Sequence, residues 1–123
     1  MVSIQDFHVG QEVTIADVDR LTRIRADRLP HKAFVERVGK KYVVANGTKF
    51  EMPPQYTRVP ANCLVEHSEY SIEKVLFRYG EDYQREKCAM LDRLYISEQI
   101  RRRLDELPVE TLRKIADILK ESE

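Results

Sequence analysis

Residues 33–52 read AFVERVGKKYVVANGTKFEM, and the architecture turns on how they are read. Apolar and charged residues alternate, which is the period of a strand with one buried face. Ala33, Val35 and Arg37 share one side, and Phe34, Glu36 and Val38 share the other. Gly39-Lys40-Lys41 predicts a tight turn or bulge, with glycine supplying the backbone freedom of the corner. KYVVA predicts a second strand, Asn46-Gly47 a hairpin turn, and TKFEM the returning strand. Helix periodicity is absent from the stretch.

Working outward toward the N-terminus, Phe7, Val9, Val13 and Ile15 keep odd spacing, so FHVGQEVTIA predicts another strand, bent or bulged at Gly10-Gln11. Residues 17–31 predict a long loop with one helical turn. On the other side, Pro53-Pro54 stops the returning strand and YTRV forms a further short extended piece. Short strands joined by Gly, Asn-Gly and Pro fit a small antiparallel barrel with Val13, Ile15, Val35, Val43 and Phe50 inside.

Residues 66–92 read two ways. Ile72, Val75, Leu76, Tyr79 and Tyr83 keep helical spacing, with Ser71 as cap and Gly80 as stop. Val75, Phe77 and Tyr79 equally keep strand spacing. Farther on, Ser97 is the expected cap of a helix carrying Ile100, Leu104 and Leu107, and Pro108 the first turn of a second helix carrying Leu112, Ile115 and Leu119. The leucines and Ile115 are expected to bury one continuous stripe. The fold class is therefore α+β: a small antiparallel barrel with its core in 1–60, a segment 61–96 completing it, and a helical hairpin over 97–123.

Composition fits this. At 123 residues the chain predicts one domain, and with 42% hydrophobic and 34% charged residues a soluble globular one. No apolar run nears the roughly 18 residues of a membrane span. No export leader is expected from MVSIQDFHVG, and Cys63 and Cys88, with no paired spacing, predict reduced thiols. A cytoplasmic location in a bacterial host is the expectation.

Zero net charge conceals a basic segment. Residues 1–60 carry +3 and residues 61–123 carry −3; between Arg20 and Lys41 eight cations face only Asp27 and Glu36. Arg20, Arg23, Arg25, Arg28, Lys32, Arg37, Lys40 and Lys41 are the candidate partner-binding residues, with Tyr42 or His31 available to stack. A phosphate backbone rewards clustered cations because each neutralised phosphate releases counterions, and arginine adds a bidentate grip. The plain alternative is a solvated surface paired with Asp17, Asp19, Asp27 and Glu36. Arg101-Arg102-Arg103 fan around a helix too widely to form one patch and are expected to pair with nearby carboxylates.

Catalysis has no such foundation. His8, His31 and His67 show no metal-ligand spacing, and the glycines at 10, 39, 47 and 80 stand singly, without a phosphate loop. No nucleophile elbow occurs. A binding protein is expected, not an enzyme, with no metal and no cofactor.

Four short motifs carry a resemblance: Val9-Gly10-Gln11, Gly39-Lys40-Lys41-Tyr42, Lys49-Phe50-Glu51, and Leu94-Tyr95-Ile96-Ser97-Glu98-Gln99. In these the chain resembles small β-barrel-domain proteins of Firmicute phages and mobile elements, and its barrel is similar to the Src-homology-3-like barrels of ribosomal and transcription factors. That resemblance implies the fold above, and the Src-homology-3-like analogy is one of fold only. From the basic ribbon, contact with RNA, DNA or a ribonucleoprotein is the expected function; the alternative is a phage or mobile-element inhibitor of a host defence nuclease, such as a CRISPR effector, acting by protein contact.

Overall fold

The computed structural model describes residues 2–55 and 58–122. Six strands follow one another along the chain: β1 (Glu12–Asp17), β2 (His31–Val38), β3 (Val43–Ala45), β4 (Thr48–Glu51), β5 (Cys63–Glu66) and β6 (Lys74–Phe77). Each pairs antiparallel with the next, and β6 returns to β1, so the sheet closes into a barrel. Two helices come after it, α1 (Gly80–Arg103) and α2 (Val109–Glu121), separated by a 3-10 turn at Leu104–Glu106. The chain divides into two compact units, Met1–Met90 and Leu91–Glu123.

Alternation builds the barrel interior. Val13 and Ile15 of β1 face Ala33 and Val35 of β2, Val43 and Ala45 of β3, Phe50 of β4, Leu64 of β5 and Leu76 of β6. The five residues expected inside are no more than 2% exposed. Val2, Ile4 and Phe7 join the same core through a 3-10 turn at Ile4–Asp6, where the Asp6 carboxylate accepts the Ser3 N–H at 2.8 Å. Phe7 is thus buried from a turn and not from a strand, and Val9 is exposed. The first strand begins only after Gly10, whose φ of 86° is open to glycine; its N–H and the Gln11 carbonyl both bond Val35, a two-against-one bulge.

A second apolar cluster lies outside the barrel. Ala16, Cys63, Val65, Val75 and Phe77 point outward from β1, β5 and β6, and Val18, Ile24 and Tyr83 cover them. The ring of Tyr83, in the first turn of α1, meets Phe77 edge-on at 5.9 Å. Strands β1, β5 and β6 are therefore buried on both faces, which is why β6 lacks a clean alternation. The opposite wall, β2 to β4, keeps its outer face in solvent.

Several expectations change. The loop after β1 holds two turns and no helix; a bridge between Val18 and Ile24 ties it down by burying both. Between Val35 and Arg37 the β2–β3 register shifts, so Arg37 turns outward and Val38 packs on the core. The extra residue reverses the parity on which Arg37 was placed inward. Segment 66–92 resolves as strand and then helix: Ser71 caps nothing, and Gly80 starts a helix where it was to stop one. Ser97 lies inside α1, which is continuous through it. Pro108 does precede α2 as its cap residue. The expected stripe over Leu104, Leu107, Leu112, Ile115 and Leu119 is not buried; Leu119 is 63% exposed. Both cysteines are free. The extended piece YTRV includes Tyr56 and Thr57, outside the described residues.

Two glycines of the central stretch can be told apart. Asn46 (φ 51°) and Gly47 (φ 73°) form the left-handed pair of a two-residue hairpin turn. Gly39 has no positive φ, and an added Cβ would sit 3.6 Å from the Tyr42 carbonyl oxygen, an ordinary contact. Gly47→Ala should therefore cost about 1–2 kcal/mol through backbone strain. Gly39→Ala should be neutral or stabilising by about 0.5 kcal/mol. Paired urea titrations decide it, and equal losses at both positions would refute the assignment.

Candidate nucleic-acid interface

The eight candidate cations do not share one surface. Strand β2 has Arg20, Arg23, Arg25 and Arg28 before its start and Lys40 and Lys41 after its end. Eight extended residues separate these two groups by roughly 23 Å. The expectation that loop 17–31 and the 39–41 corner meet is overturned by this connectivity.

The two ends differ in their compensation. In the loop, Asp17 accepts from Lys74 Nζ at 2.8 Å and from Arg28 at 3.3 Å. Asp19 accepts the Leu21 and Arg23 N–H groups at 2.9 and 3.0 Å and pairs with Arg23 Nε at 3.1 Å. Asp27 takes a fork of two bonds from Arg25, at 3.2 and 2.8 Å. Lys32 pairs with Glu12 of the neighbouring strand at 3.3 Å. Arg23, Arg25, Arg28 and Lys32 are thus neutralised by the carboxylates beside them. Arg20 lines a surface cleft together with Asp17, Asp19 and Glu73. This end is held by its own ion pairs.

Its chemistry has a consequence in acid. The Lys74 hydrogen bond, with Arg28 beside it, holds the Asp17 carboxyl below its ordinary 3.8, against the opposing effect of burial. A carboxyl depressed in the folded state contributes stability above its unfolded pKa and loses it as pH falls through the folded value. Asp17→Asn should cost about 1–2 kcal/mol at pH 7, between an exposed and a buried pair. The variant should also flatten the fall in urea midpoint below pH 3.8. An unchanged acid profile would show that Asp17 does not set it.

The other end is built differently. From Arg37 to Phe50 the chain carries four cations (Arg37, Lys40, Lys41 and Lys49) and no carboxylate. Among the described residues, none of the four has a carboxylate within ion-pair distance. The corner is closed by the Gly39 N–H donating to the Tyr42 carbonyl at 2.8 Å, which holds Lys40 and Lys41 in a short exposed loop. Register then lines up the outer face. Arg37 lies opposite Val44, Val44 opposite Lys49, and the His67 N–H donates to the Lys49 carbonyl at 2.9 Å. Three strand spacings of about 4.8 Å put this row within roughly 14 Å.

Rings stand among these charges. Tyr42 meets His67 edge-on at 5.1 Å, and Lys49 Nζ lies 5.4 Å from the Tyr42 ring centre. The Glu51 carboxylate accepts from His67 Nδ1 at 3.1 Å, leaving Nε2 for another partner. Phe34, 61% exposed, stands outward on β2. Cations interleaved with aromatic faces suit a single-stranded polyanion, since phosphates take the charges and bases stack on rings.

Of the candidate residues, Arg37, Lys40 and Lys41 belong to this face. Lys49 and His67 were missed. The carboxylate-free run from Arg37 to Phe50 was a legible signal for Lys49, whereas His67 arrives through β4–β5 pairing alone. His31, considered for stacking, begins β2 at the far end. Arg101 and Arg102 both bond Glu98, as helix spacing predicts.

Compared with known protein families, residues 1–122 match the model of the Phage ProQ C-terminal-like domain, a small phage-associated domain. No curated protein and no solved structure matches the chain.

Proposed function

The chain belongs to the phage ProQ C-terminal-like domain family, and from that premise we propose that it is a non-catalytic binding domain for single-stranded RNA or a ribonucleoprotein. The uncompensated group of Arg37, Lys40, Lys41 and Lys49 around Tyr42 and His67 carries the reading. The association of ProQ-like domains with RNA binding is in keeping with a nucleic-acid partner. Lysines and Arg37 hold phosphates; Tyr42 receives a base.

The test is fluorescence anisotropy of a labelled single-stranded RNA between about 50 and 200 mM salt. Four phosphate contacts predict a slope of log K against log salt of about −3, and a duplex of equal length should bind more weakly. Absence of affinity at about 50 mM salt would end the reading. Contact with a host defence nuclease is the second outcome: a protein partner retained from a host lysate after nuclease treatment, with no RNA affinity, would support it.

A further inference from the structure

Glu51 is the first carboxylate after the basic run, and it stands on the face that the proposed function uses. Lys49 and Glu51 are two residues apart on β4, on either side of buried Phe50, so both side chains leave the barrel on its outer wall. Beside an otherwise cationic row, a bare carboxylate repels a phosphate backbone. His67 is the group that meets it. Its Nδ1 lies 3.1 Å from the Glu51 carboxylate, and its backbone N–H, bonded to the Lys49 carbonyl at 2.9 Å, fixes the point from which the ring projects. Tyr42 stands edge-on to that ring at 5.1 Å. The His67 and Glu51 side chains are 47% and 31% exposed, so the pair is open to solvent protons and to a ligand.

The other charges around the ring are occupied elsewhere or belong to the same face. Lys49 Nζ lies 5.4 Å from the Tyr42 ring centre, and Lys40 and Lys41 stand in the exposed corner before Tyr42. Glu66 of β5 accepts the Glu73 N–H at 3.1 Å, and Glu69 is exposed beyond it. Among the described residues, His67 is the one ion-pair partner of Glu51. Histidine is the side chain that changes charge between about pH 5 and 8. With a neutral ring, Arg37, Lys40, Lys41 and Lys49 less Glu51 give the face +3; with an imidazolium it carries +4. Protonation also gives Nε2 a hydrogen to donate to a phosphate oxygen while Nδ1 keeps Glu51.

We infer that the Glu51–His67 pair is a proton-operated control of this face, which holds a single-stranded polyanion more tightly when His67 is charged. The inference rests on the RNA reading above. Bound phosphates favour the charged ring, so affinity rises as pH falls through the imidazole range, and binding in turn draws a proton onto His67. One added phosphate contact, at about 0.7 of salt slope, is worth about fivefold at about 0.1 M salt.

Fluorescence anisotropy of a labelled oligouridylate, whose bases do not titrate in this range, tests this at about pH 5.5 and about pH 7.5. Affinity should be about fivefold higher at the lower pH, and the salt slope steeper by about 0.7. His67→Gln should abolish both changes. His67→Lys, a permanent cation, should bind at about pH 7.5 as the unaltered chain binds at about pH 5.5, without pH dependence. Calorimetry in two buffers of different ionisation enthalpy should find proton uptake on binding near about pH 6.5, lost in His67→Gln. Equal affinity at both pH values, or a rise that survives His67→Gln, overturns the inference and leaves the RNA reading standing. Absence of oligouridylate affinity at both pH values overturns the two together.

Discussion

Lys40→Glu with Lys41→Glu should weaken single-stranded RNA binding by at least about 100-fold, near 2.7 kcal/mol, and lower the salt slope by about 1.4. The two lysines project from a loop held by its own Gly39–Tyr42 hydrogen bond, so the substitutions leave the barrel core untouched. Each reversal removes an attraction and adds a repulsion where Arg37 and Lys49 remain. Arg25→Ala with Arg28→Ala removes the same number of cations from the opposite end of β2. There the arginines already serve Asp27 and Asp17, and affinity should change less than about threefold while stability falls. Tyr42→Ala should cost a further factor consistent with about 1–3 kcal/mol of lost stacking. Equal losses from both pairs would mean diffuse attraction to the whole basic segment, and the assignment of one face would fail.

Phe50→Ala should remove about 3–5 kcal/mol of stability, a large part of what a domain this size possesses. Phe50 is 0% exposed, lies opposite Val43 across β3–β4, and is among the largest side chains fully enclosed by the barrel. Closure leaves the walls little room to collapse into the cavity, so the transfer and cavity contributions add. Phe34→Ala provides the contrast. It removes the same ring from the outer face of the same barrel, and stability should change by less than about 1 kcal/mol. Chemical denaturation of both variants, followed by far-UV circular dichroism, decides it. A small loss at Phe50 would mean that the barrel interior is not the centre of stability.

These contrasts follow from features that differ in how far along the chain their causes lie. The strands of 33–52 were legible because each depends on near neighbours: parity sets the buried face, and Asn46-Gly47 reaches positive φ with little steric cost. The helical stripe of α2 was legible for the same reason, although its burial was not. The bulge at Glu36–Arg37 was invisible, since an extra residue in one strand has meaning only against its partner β3. Segment 66–92 read two ways because β6 is covered on both faces, and that cover comes from Tyr83 and the loop around Ile24.

The sequence by itself determined an antiparallel barrel followed by helices, a basic stretch in its first half, and the parity that encloses Val13, Ile15, Val35, Val43 and Phe50. Only the tertiary structure decided which cations are free to act. Asp17 is claimed by Lys74, which is 57 positions away, and Lys49 gains His67 through pairing of β4 with the chain beyond β5. Side-chain direction follows from local backbone geometry within a few residues, whereas the availability of a charge depends on every group within a few ångströms. In a closed barrel those groups come from strands far apart in the chain.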